Sequence, residues 1–134
     1  MRKSRIAAAL ASAALTATLA VAGTGSAHAA TPNCQGNVVD QKDNNGFSAR
    51  LLVSYDGRSV CVNTWNQTGH RDWTWAELID PNGNHHGGDY AQYYQYASTG
   101  WFPKTSGCWK FFGTPVTAGQ TAPGSQWWWY SHCF

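Results

Sequence analysis

His85, His86 and Asp89 stand within five residues of one another in a glycine-rich stretch, and His70 and Asp72 form a second such pair upstream. Imidazole and carboxylate side chains can ligate zinc or copper, yet two adjacent histidines require a third ligand from elsewhere, and no spacing in the chain specifies one. A solvated loop is the plainer account, and no metal is expected. Glycoside hydrolysis needs two carboxyl groups facing each other across the scissile bond. Glu77 and Asp80 lie three apart on an expected strand and its exit, which sends them to opposite faces, and Asp80 precedes Pro81 as a turn residue does. Asp89 has no sequence relation that would bring it to Glu77. A G-x-S-x-G nucleophile elbow is absent, so the residues that could do chemistry make no catalytic constellation, and neither enzyme activity nor a cofactor is expected.

Cys34, Cys61, Cys108 and Cys133 are an even set in a chain that begins with an export signal. Arg2, Lys3 and Arg5 precede an Ala/Leu/Val-rich run over about residues 6–22, and Ala27-His28-Ala29 supplies small residues at cleavage positions, so residues 1–29 are expected to be a signal peptide and residues 30–134 a single domain. All seven acidic residues but only six of the nine Lys and Arg lie beyond that site, which leaves the mature chain close to neutral. A basic patch for nucleic acid is therefore not expected, nor a membrane span in the mature chain. The remaining ~105 residues can bury one modest core. Two disulfides would tighten it, with no C-x-x-C spacing to suggest a metal instead. Of the three possible pairings, strand geometry favours Cys34 with Cys61 and Cys108 with Cys133. In each pair one cysteine opens or precedes a strand at the end where its antiparallel partner is met.

The elements that must position these residues are short strands. Residues 47–55 alternate Phe47, Ala49, Leu51, Val53 and Tyr55 with Ser48, Arg50 and Ser54, a period of two with Leu52 as the exception. Asp56-Gly57 is expected to form a two-residue type I′ turn, which would set Tyr55 opposite Arg58, Val53 opposite Val60, Leu51 opposite Val62 and Leu52 opposite Cys61. A strand over 37–41 precedes this hairpin. Strands over 73–79, 90–97, 108–112 and 126–133 follow it, with loops at 66–71, 81–89, 99–107 and 113–124. Trp73, Trp75, Glu77 and Ile79 are expected on one face of their strand. No stretch has the helical period. About seven short strands between Gly, Pro and Asn turns predict an antiparallel β-sandwich with two disulfides, a small barrel being the alternative.

All eight Trp, six Tyr and five Phe lie in the mature part. Trp127-Trp128-Trp129 is consecutive on an expected strand, so Trp128 points away from the face shared by Trp127 and Trp129. Trp128, Tyr90, Tyr94 and Tyr96 are the candidate ligand or partner surface, able to stack on sugar rings or pack on another surface. The plainer account is that a domain with few aliphatic residues fills its core with aromatic ones. Asn66-Gln67-Thr68 matches a glycosylation sequon, to which a signal peptide of bacterial type gives no weight.

Taken together the pattern resembles spore-associated protein A and its relatives, small exported proteins of filamentous actinomycetes. The likeness runs from Cys34 through the strand ending at Tyr55, the glycine turn into Cys61-Val62, Thr64, Asn66 and Thr68-Gly69. It continues through Pro81, Gly83, Asp89-Tyr90-Ala91-Gln92-Tyr93, Tyr96-Ala97, Cys108 and Gly113 to Cys133. The resemblance implies export and association with the spore or cell surface, with no catalytic activity and no site residues to carry over. The Trp127 to Trp129 triplet is more aromatic than the family pattern. The expected protein is thus a non-catalytic exported surface protein with spore or cell-envelope polymers as partners. A carbohydrate-binding module is the first alternative, and an inhibitor of an extracellular hydrolase a remote one.

Overall fold

A computed structural model describes residues 31–117 and 126–134; the expected signal peptide over residues 1–29 lies outside them. The described residues form nine strands: β1 (Asn37–Asn44), β2 (Phe47–Val53), β3 (Ser59–Asn66), β4 (Asp72–Ile79), β5 (His85–Tyr93), β6 (Tyr96–Ser98), β7 (Phe102–Pro103), β8 (Cys108–Pro115) and β9 (Trp127–Cys133). They make two antiparallel sheets. One runs β1-β2-β3-β6, with the short β7 also on β3, and the other runs β5-β4-β8-β9. The sheets pack face to face without closing on each other, so the fold is a sandwich and not a barrel. Among the described residues no helix is long and apolar enough to cross a membrane.

The β2-β3 ladder carries the expected register, with Ala49 opposite Thr64, Leu51 opposite Val62, Leu52 opposite Cys61 and Val53 opposite Val60. The turn that sets it differs. Ser54 N donates to Ser59 O at 2.9 Å, so Tyr55 and Arg58 fall within a four-residue loop and do not pair. Asp56 braces that loop by accepting from Ser54 Oγ at 2.6 Å and Arg58 N at 3.0 Å. Removing one residue from each strand end leaves every other pair unchanged, which is why the register survives. The two-residue turn lies one hairpin earlier, where Asn44 faces Phe47 across Asn45 (φ 50°) and Gly46 (φ 83°), both in the left-handed region a type I′ turn requires.

Ala49, Leu51, Val60 and Val62 from the first sheet meet Ala76, Leu78, Trp109 and Phe111 from the second in one buried core. The outer face of the first sheet is covered at one point. Leu52 and Cys61 are buried there under residues 34–36, held by the Cys34–Cys61 disulfide. Asn63 completes the seam, accepting from Cys34 N at 3.0 Å and Ser98 Oγ at 2.9 Å while its amide donates to Cys34 O at 3.0 Å. The second disulfide joins Cys108 to Cys133, directly opposite in the β8-β9 ladder. Both pairings are those that strand geometry favours.

Two stretches expected to be uniform are not. Residues 85–89 belong to β5, not to a loop, and residues 90–97 divide at Tyr94 and Gln95, where the chain leaves one sheet and enters the other. Gly87 explains the first. A Cβ there would stand 2.7 Å from Thr99 Cβ and 2.8 Å from the Phe102 ring, and its φ of 64° falls at the register shift between Ala76 and Leu78, so this glycine marks a bulge and a close approach of the facing sheet within one strand.

Candidate functional site: an aromatic cleft on the outer face of the second sheet

On β4 the face turned to the core carries Thr74, Ala76 and Leu78, all fully buried. Alternation therefore puts Trp73, Trp75, Glu77 and Ile79 on the outside. Cross-strand pairing adds Tyr90 opposite Trp75, Phe112 opposite Glu77 and Trp129 opposite Phe112 on that outer face. The rings touch in a continuous chain. Centroids lie 4.9 Å apart for Trp73 and Tyr90, 4.5 Å for Tyr90 and Trp75, 4.4 Å for Trp75 and Phe112, and 3.9 Å for Phe112 and Trp129.

The sheet is interrupted beneath these rings. β4 and β8 pair only from Glu77↔Phe112 to Ile79↔Lys110, and immediately beyond Phe112 the β8-β9 register shifts at Gly113, a β-bulge. A bulge bends its strand and increases the local twist, and here it coincides with the end of the β4-β8 ladder. Trp127 occupies the resulting gap. It stacks on Phe112 at 5.9 Å and 28°, meets Trp75 edge-on at 6.0 Å, and reaches Phe47 of the facing sheet at 5.9 Å.

Beside it opens a cleft of about 450 Å³ lined by Trp75, Phe112, Val116, Gln126, Trp127, Trp128 and Trp129. None of these side chains is charged. Trp127 is only 7% exposed, whereas Trp128 and Trp129 keep 48% and 39% of their surface open. As expected, Trp128 lies on the face opposite its neighbours, the face from which His132 reaches Asp40 of β1 at 3.2 Å. Because β9 is the edge strand of its sheet, rings from both of its faces can line one rim. Trp127 Nε1 is buried without a hydrogen-bond partner, the single such side-chain atom among the described residues. The buried indole of Trp109, by contrast, donates to Thr105 O at 3.0 Å. Leaving such a donor unmet costs about 1–3 kcal/mol.

At the far end of the platform His85 Nδ1 and Glu77 Oε1 lie 2.7 Å apart, and the His85 ring meets Trp129 edge-on at 6.2 Å. Burial pushes the Tyr90 phenol above its ordinary pKa.

Of the four residues expected to form a surface, Tyr90 and Trp128 join this aromatic cluster. Tyr94 is exposed in the turn between the sheets, and Tyr96 is 7% exposed in the first sheet, packed on Trp65 at 5.2 Å. The division at Tyr94 and Gln95 separates them from the cleft. Trp75, Phe112 and Trp127 complete it without having been singled out as surface residues. Alternation places Trp73 with Trp75 and Trp127 with Trp129, but it does not say which face is the core.

The histidines and carboxylates are dispersed by the same alternation. His85 faces outward to Glu77, His86 bonds Asp80 at 3.0 Å, His70 lies 3.2 Å from Asp72, and Asp89 accepts from Tyr93 Oη at 2.7 Å and Ser98 N at 2.9 Å. Among the described residues no three His, Cys, Asp or Glu side chains gather as a metal site would need. Asp80 also accepts from the Asn82 and Asn84 amides, and together with His86 these bonds hold its carboxyl far below the ordinary range.

A second cleft, of about 370 Å³, lies on the outer face of the first sheet between residues 33–36 and Arg50, Leu52, Asn63 and Trp65. The Arg50 guanidinium sits 5.7 Å over the Trp65 ring and its Nε donates to Ser48 Oγ at 3.2 Å. It is the seam left where the N-terminal segment crosses the sheet.

Fold and site together define a disulfide-stapled two-sheet β-sandwich with an uncharged aromatic cleft beside an edge strand. Comparison of the chain with protein-family models, curated proteins and solved structures returns no match.

Proposed function

We propose that the protein is an exported, non-catalytic surface protein that adheres to the spore or cell envelope by holding a neutral glycan in the aromatic cleft. The observation that carries this reading is the pair of open indoles, Trp128 and Trp129, around an uncharged hollow backed by Trp75, Phe112 and Trp127. Flat apolar ring faces suit the C–H faces of pyranose rings, and a lining without charge suits a neutral polymer better than an acidic or basic one. The resemblance to spore-associated protein A supports export and surface association. Two disulfides suit an oxidising compartment.

The test is co-sedimentation of the oxidised mature protein with chitin, cellulose and purified peptidoglycan. Trp128→Ala and Trp129→Ala should each weaken retention at least tenfold, as truncation of an aromatic anchor does, at temperatures where far-UV circular dichroism shows both variants folded. Retention of both variants at the level of the parent protein sinks glycan binding. Recovery of the protein in culture medium alone, with none on washed spores or cells, sinks surface association.

A further inference from the structure

The two disulfides differ in what surrounds them. Cys34 and Cys61 are buried beneath the N-terminal segment, 5% and 0% exposed, whereas Cys108 and Cys133 both lie open on the outer face of the second sheet. A thiolate must lift that segment to reach the first bond, but it meets the second in the folded protein. The strands around the second bond are also held without it. Gly107 and Phe134 exchange backbone hydrogen bonds at 3.2 and 3.0 Å on one side of the pair, and Phe111 packs on Tyr130 at 5.5 Å on the other. Trp109, next to Cys108, is buried with its indole bonded to Thr105 O.

Topology distinguishes the two sulfurs. Thiol–disulfide exchange is an in-line displacement, so the incoming thiolate approaches the attacked sulfur from the side away from the departing one. The bond runs from β8 to β9. Beyond Cys108 stands the end of β4, with Ile79 paired to Lys110 and Pro81 against Gly107; beyond Cys133 is the free edge of the sheet. Lys110, two residues from Cys108 and exposed on the same face, supplies a cation near the departing sulfur, while its diagonal neighbour Glu77 is engaged with His85 at 2.7 Å. A neighbouring cation stabilises a thiolate.

We propose that Cys108–Cys133 is a thiol-exchange site of the folded protein, which takes a low-molecular-weight thiol as a mixed disulfide on Cys133. The incoming thiolate bonds to Cys133 Sγ, the bond to Cys108 breaks, and its electron pair leaves with Cys108 Sγ as a thiolate near Lys110. One disulfide replaces another, with no net oxidation. Return attack by Cys108 on Cys133 expels the thiol and restores the bond. The proposal is independent of the glycan reading, since the cleft tryptophans occupy the other end of β9.

The test exposes the oxidised mature protein to 2-mercaptoethanol, an uncharged thiol, traps free thiols at early times with N-ethylmaleimide and maps the peptides by mass spectrometry. The expected products carry the mercaptoethanol adduct on Cys133 and maleimide on Cys108, formed at least about tenfold faster than any modification of Cys34 or Cys61. Far-UV circular dichroism should stay unchanged, and the rate should be flat in urea below the unfolding transition. Lys110→Gln should slow the exchange about threefold, the effect of one solvated unit charge at about 7 Å. Adducts chiefly on Cys108, modification of both disulfides at equal rates, a rate that climbs with urea below the transition, or an unchanged rate in Lys110→Gln each overturns the proposal.

Discussion

Gly113 is where the site and the core meet, and replacing it with alanine should be among the most damaging single-methyl changes in the domain. A Cβ there would stand 2.9 Å from Ala49 Cβ and 3.1 Å from Thr64 Cγ2, and closer still to Thr64 Oγ1. Ala49 and Thr64 face each other on the paired strands β2 and β3 and are fully buried, so neither can give way without moving its ladder. Overpacking of this kind costs about 1–3 kcal/mol. For a domain of this size each kcal/mol shifts the midpoint by roughly 4–8 °C, so a fall of about 10 °C is expected. The assay is urea and thermal unfolding of the oxidised mature protein, followed by far-UV circular dichroism and tryptophan fluorescence together. Thr64→Ala removes both Thr64 atoms that a new methyl would strike. In that background Gly113→Ala should cost at least about 1 kcal/mol less, a coupling well above the additivity error of independent sites. Because the bulge at Gly113 adjoins the gap filled by Trp127, the single variant should also lose glycan retention at temperatures where it remains folded. A cost below about 0.5 kcal/mol, or costs that simply add in the double variant, would refute the close approach of β8 to the facing sheet.

Replacing Cys34 and Cys61 together by serine should cost roughly 3.5 kcal/mol from the loop their 27-residue separation closes, measured as the difference in urea-extrapolated stability; a cost below about 1 kcal/mol would show that the seam holds without the bond. Asn63→Ala, which strips both backbone bonds to Cys34, should destabilise by about 2–3 kcal/mol and speed reduction of the Cys34–Cys61 bond by dithiothreitol, and an unchanged reduction rate would count against Asn63 as the clasp of that segment. Asp80 is held below its ordinary pKa of 3.8 first by His86 and then by the Asn84 and Asn82 amides. Its unfolded form therefore takes up the proton first as pH falls, and the stability Asp80 contributes is present above about pH 4 and lost below it. The urea midpoints of the parent and Asp80→Asn proteins should accordingly differ at about pH 6 and converge towards pH 2; a gap of constant size would remove the charge from the explanation.

Much of the fold is legible in the residue pattern because a ladder's register depends on a sum of residue numbers and not on where the turn begins. Placing the turn at Asp56-Gly57 as a two-residue loop was wrong by one residue on each strand, yet it preserved every pair from Val53↔Val60 to Ala49↔Thr64. The type I′ turn forms instead at Asn45-Gly46, where the pattern alone did not place it and where asparagine tolerates the left-handed region more readily than aspartate does; Asp56 uses its carboxylate to bridge a longer loop. His85 to Asp89 reads as loop because glycine in sequence signals both a break and a close approach, and only the contact with Thr99 and Phe102 distinguishes the two.

The candidate site was legible only in halves, for a reason that lies in how this domain distributes its volume. Alternation groups the tryptophans correctly but leaves open which group faces inward, and bulk would suggest the aromatic one. The sheets instead approach closely at Gly87 and Gly113, which leaves room on β4 for Thr74, Ala76 and Leu78 and turns Trp73 and Trp75 outward. Core filling and surface display are therefore not alternatives here. Trp109 and Phe111 fill the core from β8, while Phe112, one residue on, begins a second aromatic layer outside the sheet. That outer layer buries its own centre, Phe112 and Trp127, and leaves open Trp129 and, from the other face of the edge strand, Trp128. A layer built only for stability would gain by covering its rim and by replacing the unmet indole at its centre with a hydrocarbon ring. This chain does neither, and the two departures fall in the same cleft.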